Sequence, residues 1–272
     1  MYSLILIEHL IPLLIFILIM IIITVLYFKH ETKSLKIEKV IIKTNKLDNN
    51  FRVVQLSDLH LKRIGRLEKK IYSVLNKLDF DILVITGDFV NDEKYLPVLD
   101  DFLKSVNKTK PVITVLGNHD HRIDVEKIIK VMEKNKIKLL NNENITTNKD
   151  NDKINIIGVD TPDLGYDNIS QAVGSLDLND SFNIILSHTY EIINKLHDSN
   201  KFDLILAGDT HGGQINLPFL KKFVSNSFEL NYLSGEYKVK EDTILYINRG
   251  IVTTKILIRL RSRPEITVID IG

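Results

Sequence analysis

The chain is 272 residues long, with 36 basic and 35 acidic side chains, a formal net charge of +1 and no cysteine. This near-neutral balance gives no electrostatic case for a nucleic-acid partner, and nothing in it asks for an obligate protein partner. Without thiols there is no disulfide, no zinc–thiolate centre and no cysteine nucleophile, so any bound metal must rest on nitrogen and oxygen.

The first element differs in kind from the rest. From Leu10 to Phe28 no residue is charged and nearly all are apolar, a run long enough to cross a bilayer as one helix. Glu8 and His9 precede it where a signal peptide would carry a basic leader, and no Ala-x-Ala-like site follows, so it reads as a retained anchor. Basic residues appear only after the run, at Lys29, Lys33, Lys36 and Lys39, which places the remainder in the cytoplasm by the positive-inside tendency. We therefore expect a transmembrane anchor over residues 1–30 and one domain over residues 31–272.

Ile37 to Ile42 reads as an edge strand, after which strand and helix signals alternate. Asp58 to Asp88 and Asp88 to Asn118 are each 30 residues, a natural βαβ length. Between them Leu67, Ile71, Val74, Leu75 and Leu78, then Leu96, Leu99, Phe102, Leu103 and Val106, follow helical spacing, and Ile123 to Met132 gives a third helix. Past Asn141 the Asn- and Lys-rich stretch reads as a loop before a strand at Ile154 to Val159. Leu217 to Val239 is less periodic, and late strands follow near Thr243 to Ile247, Lys255 to Leu260 and Glu265 to Ile269. Repeats of βα first and strands last predict an α/β fold of two packed sheets with helices outside.

Five strand-like runs end in donor clusters: Arg52 to Leu56 before Asp58 and His60, Ile82 to Thr86 before Asp88, Val112 to Leu116 before Asn118, His119 and Asp120, Ile184 to Leu186 before His188, and Leu204 to Ala207 before Asp209 and His211. Taken singly, each is an ordinary turn pair, a glycine turn or a buried histidine. Together they are another matter, because carboxyl ends of strands in an open α/β sheet converge on one crevice. The donors suffice for two divalent ions about 3.5 to 4 Å apart, which can activate water and clamp a phosphoryl group.

In that order Asp-x-His, Gly-Asp, Gly-Asn-His-Asp, His and Thr-His resemble the calcineurin-like metallophosphoesterases, over about Phe51 to Gly250. Gly208-Asp209-Thr210-His211-Gly212-Gly213-Gln214 and Tyr246-Ile247-Asn248-Arg249-Gly250 are similar to the membrane-anchored bacterial branch, some of whose members resemble enzymes that cleave UDP-2,3-diacylglucosamine. The resemblance implies a four-layer αββα sandwich of two mixed sheets and a phosphodiesterase or pyrophosphatase acting through a metal-bridging hydroxide. It gives Asp58, His60, Asp88 and His211 to one divalent ion and Asp88, Asn118, His188 and Asp209 to the other, with Asp88 shared. His119 would face the substrate and protonate the leaving oxygen, with Asp120 orienting its ring. A phosphomonoesterase on the same core, or a scaffold of this fold without catalysis, are the alternatives.

Asp209 stands where the family usually has His. A carboxylate there hardens the site toward Mn²⁺ or Fe²⁺, with Zn²⁺ as the alternative. Thr189 stands where Pro is common. Arg249 follows a strand and could hold a substrate phosphate, though an ion pair explains it equally well. Phe219 and Phe223, with Leu220 and Val224, are expected to form an apolar wall for a lipid-linked substrate beside the bilayer. His9, His30, His121 and His197 read as surface or interface residues.

Overall fold

The computed structural model describes residues 2–106, 109–197, 201–216, 232–240, 242–253 and 258–272, with side chains from residue 10 onward. A long helix, α1 (Tyr2–Lys33), comes first. Within Leu10–Lys33 an 18-residue window has a mean hydropathy of 3.1 and none of that window is buried, so the helix is long and apolar enough to cross a membrane.

The rest is two mixed sheets with helices outside. The chain runs β1 (Lys36–Ile42), β2 (Phe51–Leu56), α2 (Arg66–Leu75), β3 (Ile82–Thr86), α3 (Leu96–Ser105), β4 (Val112–Val115), α4 (Val125–Lys134) and β5 (Lys138–Leu139). It continues β6 (Glu143–Lys149), β7 (Asp152–Gly158), α5 (Ile169–Val173), β8 (Phe182–Leu186), β9 (Leu204–Ala207), β10 (Gly235–Lys238), β11 (Ile244–Ile247) and β12 (Glu265–Ile271). Among the described residues the first sheet has the order β1-β12-β2-β3-β4-β5 and the second β10-β11-β9-β8-β7-β6. β2, β3 and β4 are parallel neighbours, as are β8, β9 and β11. Each sheet therefore ends several strands at the same edge.

Side-chain alternation divides the core into layers. Val54, Leu56, Leu83 and Ile85 face outward onto Ile71, Leu99, Phe102, Ile128 and Met132 of α2, α3 and α4. Val53, Ile82, Val84, Ile113 and Val115 face inward and meet Ile154, Ile156, Ile184, Leu204 and Leu206 of the second sheet. Ile157, Ile185, Ile205, Leu245 and Ile247 form a third layer with Ala172 and Ile192. This is the four-layer arrangement expected, and β1 is an edge strand as expected.

Two local readings are corrected. The supposed loop past Asn141 contains β6, antiparallel to β7 through the full pairing Glu143↔Gly158 to Lys149↔Asp152. It is an edge strand held by backbone bonds, with side chains half-exposed or exposed, so it carries no apolar alternation to read. The expected strand Lys255 to Leu260 lies partly outside the described residues, and its described end makes a single bridge, Leu260 to Ile215.

Candidate metal centre

The seven expected ligands meet at the shared carboxyl edge of the sheets. Asp58 and His60 follow β2, Asp88 follows β3, Asn118 follows β4, His188 follows β8, and Asp209 and His211 follow β9. Asp88 sits between the two groups: its Oδ2 is 3.2 Å from His60 Nε2 and 3.4 Å from His188 Nε2. His211 Nε2 is 3.6 Å from Asp58 Oδ1, and His188 Nε2 is 3.5 Å from Asp209 Oδ1. Asp58, His60 and His211 form one cluster compact enough to hold a cation, and Asp58, Asp88 and His188 another.

The backbone is bent into unusual shapes to achieve this. Asp58, His60, Asp88, Asp209 and His211 all have positive φ, between 37° and 68°, a region that L-residues avoid and that concentrates at functional sites. Two glycines allow the loops to interlock. A Cβ on Gly208 would lie 1.9 Å from Ser57 Oγ, and one on Gly117 would lie 2.3 Å from Asp88 Oδ1. Neither has positive φ, so here glycine supplies space between ligand loops rather than a left-handed turn.

The donor atoms fit a pair of divalent cations. Asp58 Oδ1, His60 Nε2, Asn118 Oδ1 and His188 Nε2 are buried and have no hydrogen-bond partner in the protein, a combination that is rare unless a ligand completes it. The imidazoles are oriented for this. His188 Nδ1 lies 2.7 Å from the Thr86 carbonyl and His60 Nδ1 lies 2.9 Å from Asn91 Oδ1. Each Nδ1 therefore carries the proton and donates, leaving Nε2 as a lone-pair donor toward the centre.

The field inside the centre is negative. Burial works against ionisation of Asp88, yet the neighbouring His188 and His60 hold its carboxyl well below the usual range. Burial likewise disfavours charge on His188, but the Asp88 and Asp209 carboxylates draw a proton to it and raise it well above an ordinary histidine. His60, where burial dominates, falls to about 4. A site that pulls a proton onto a buried imidazole is one that would hold a cation instead.

His119 lies at the rim, half-buried, its ring edge-on to His60 with centroids 4.9 Å apart. Its backbone N–H donates to Asp88 Oδ1 at 2.9 Å, and its Nδ1 is 2.6 Å from Asn91 Oδ1. Asn91 thus accepts from both His60 and His119. The expected contact between Asp120 and the His119 ring is not made: Asp120 accepts from the backbone N–H groups of Asp88 and Gly117 through Oδ2 and of Phe89 through Oδ1. It is a buried brace for two ligand loops. Burial and the Asp88 charge push its carboxyl up to about 7, while those N–H bonds pull the other way.

Sequence reading overlooked Asn91 and Asp163. Asp163 Oδ2 accepts from Asn118 Nδ2 at 3.0 Å, which turns Asn118 Oδ1 inward. The signal for Asn91 was its place three residues after Asp88; Asp163 sits in a short 3-10 helix, Pro162–Leu164, with no pattern to mark it. Arg249 proves to be the ion-pair alternative, its guanidinium held by Glu265 and, at 3.2 Å, by Glu38. His121 is not a free surface residue, since its Nε2 is 2.7 Å from Asp160 Oδ1. Phe219, Leu220, Phe223 and Val224 lie outside the described residues.

Comparison with known proteins identifies the family. The metallophosphoesterase YkoQ of Bacillus subtilis, itself uncharacterised, is 30% identical over 249 residues, covering 88% of this chain and 91% of its own. YkuE of the same organism is 30% identical over 81% of this chain and 78% of its own. A zebrafish (Danio rerio) relative described as a transmembrane protein with a metallophosphoesterase domain is 29% identical, covering 80% of this chain and 52% of its own. The profile described as calcineurin-like phosphoesterase matches residues 51–213, from the start of β2 through the last candidate ligand loop, and the chain belongs to that family.

Proposed function

We propose that this protein is a dinuclear metal-dependent phosphoesterase, tethered to the membrane by α1 and acting on a phosphodiester or pyrophosphate. One observation supports it most: buried donor atoms without protein partners, delivered by strands of two sheets, converge around Asp88. Two bound divalent cations would supply charge stabilisation for the phosphoryl group and lower the pKa of water. Asp58, His60, Asp88 and His211 would hold one, and Asp88, Asn118, His188 and Asp209 the other. His119 stands beside them with Nδ1 tied to Asn91, and as an imidazolium it would give its Nε2 proton to a departing alcohol oxygen. The tether would bring the centre to lipid-linked substrates at the bilayer surface, and the charge pattern around α1 favours a cytoplasmic domain.

Full-length protein in detergent should carry about two transition-metal ions per chain and hydrolyse bis-p-nitrophenyl phosphate faster than p-nitrophenyl phosphate. The reverse preference would favour the monoesterase reading. His119→Ala should keep its metals and lose about 10²- to 10⁴-fold in kcat. Full activity in that variant would remove His119 from the chemistry, and absence of metal and of turnover would leave a scaffold.

A further inference from the structure

The end of the domain nearest α1 carries two cationic hollows that the centre does not use. The larger, about 690 Å³, is lined by Lys33 at the end of α1 and by Arg63, Arg66 and Lys70. The acid in its wall, Glu68, is buried and already accepts from Gly65 N–H at 2.7 Å. The four cations form no ion pair among the described residues. The smaller, about 210 Å³, is lined by Tyr27 and Glu31 of α1 and by Lys36, Arg249, Arg261 and Arg263, of which Lys36 and Arg249 pair with Glu38. Arg261 is exposed and its side chain forms no ion pair among the described residues, where the Arg263 guanidinium bonds to Ser34 and to no carboxylate.

The wall of the smaller hollow is fixed relative to α1, and Lys33 of the same helix lines the larger. Arg259 N–H donates to Thr32 Oγ1 at 2.9 Å, Arg261 N–H to Glu31 Oε2 at 2.9 Å, and Lys36 N–H to the Pro264 carbonyl at 2.8 Å. The helix thus enters the domain without a free linker. From Tyr27 to Lys33 it rises about 9 Å, comparable to the headgroup layer that flanks the hydrocarbon. If Leu10 to Phe28 fills the hydrocarbon, both hollows open at headgroup level. Unpaired guanidinium and ammonium groups at that depth match phosphate oxygens in charge and hydrogen-bonding geometry.

We propose that these hollows bind the phosphates of anionic phospholipids in the leaflet where α1 ends, seating the domain against the bilayer. The inference rests on reading α1 as a membrane span. It has a bearing on the centre, because Arg63 follows His60 by three residues on the same loop, so a headgroup held there constrains a ligand loop.

Full-length protein ejected from nanodiscs of equal phosphatidylcholine and phosphatidylglycerol, with retained lipids counted by native mass spectrometry, tests it. Phosphatidylglycerol should be enriched, and Arg63→Gln, Arg66→Gln and Arg261→Gln should each lower that enrichment about fivefold, while Arg63→Lys preserves it. Equal retention of both lipids, or undiminished enrichment in the triple Gln variant, overturns the proposal. So does loss of enrichment in millimolar inorganic phosphate, which would make free phosphate the occupant. Alkaline extraction separates the two readings. Protein released from membranes defeats the anchor itself, whereas protein that stays without lipid preference defeats only the headgroup site.

Discussion

The two sides of the metal centre are built to different standards. On the first-sheet side the side chains of Asp58, His60 and Asp88 are at most 2% exposed. Their loops are braced by Asp120 from three backbone N–H groups and by Asn91 between two imidazoles. On the second-sheet side His188 is as fully enclosed, but Asp209 is 34% exposed and its Oδ1 meets His188 and, at 3.4 Å, the Asn118 amide. The enclosed half fixes geometry, and the open half can accept a different donor. This is the half in which the chain departs from the usual His.

That comparison ranks the expected effects. Asp88→Asn removes the carboxylate that faces both clusters and should reduce kcat/KM by more than the roughly 100-fold upper range for outer contacts, with loss of bound metal by elemental analysis. Retained dinuclear metal would show that Asp88 is not shared. Asp120→Ala strands three buried N–H donors and should destabilise the folded domain by about 3 kcal/mol or more, read by chemical denaturation. A change under about 1 kcal/mol would mean that water replaces the brace. Asn91→Leu leaves the ligands in place but frees two rings, and about 10- to 100-fold of activity should go with it. Asp209→His is the mildest change at the centre: turnover should stay within about tenfold, with preference moving from Mn²⁺ or Fe²⁺ toward Zn²⁺. An unchanged metal series would detach residue 209 from ligand selection.

The same contrast explains what the sequence made legible. The strand ends could be read because β2, β3, β4, β8 and β9 are largely buried and mostly apolar, so each donor cluster stands at a sharp compositional edge. The helices α2, α3 and α4 could be read because one face of each meets the first sheet. What escaped notice lies where no such edge exists. Asn91 and Asp163 act through one or two side-chain contacts from outside the regular strands and α-helices, and such contacts leave no periodic trace. The role of Asp120 was misread because adjacency to His119 suggests a ring contact, while the turn that follows directs its carboxylate back into the ligand loops. β6 was missed because an edge strand needs only its backbone to pair.

Far from the centre, an exposed pair sets the lower end of the scale. Arg52 and Asp270 face each other across the antiparallel β2–β12 ladder, with Nε 2.6 Å from Oδ1. The hydrogen bond from Arg52 holds the Asp270 carboxyl below its usual range. A carboxylate depressed on folding adds stability above its unfolded pKa, near 3.9, and that contribution is lost as pH falls through the lower folded value. Both side chains are a quarter to a third exposed, so solvent screening limits the pair to about 0.2 to 1 kcal/mol. A double-mutant cycle of Arg52→Gln and Asp270→Asn should return that coupling near neutral pH and almost none in strong acid or high salt. Coupling that survives both conditions would mean that cross-strand packing, not charge, joins the two side chains.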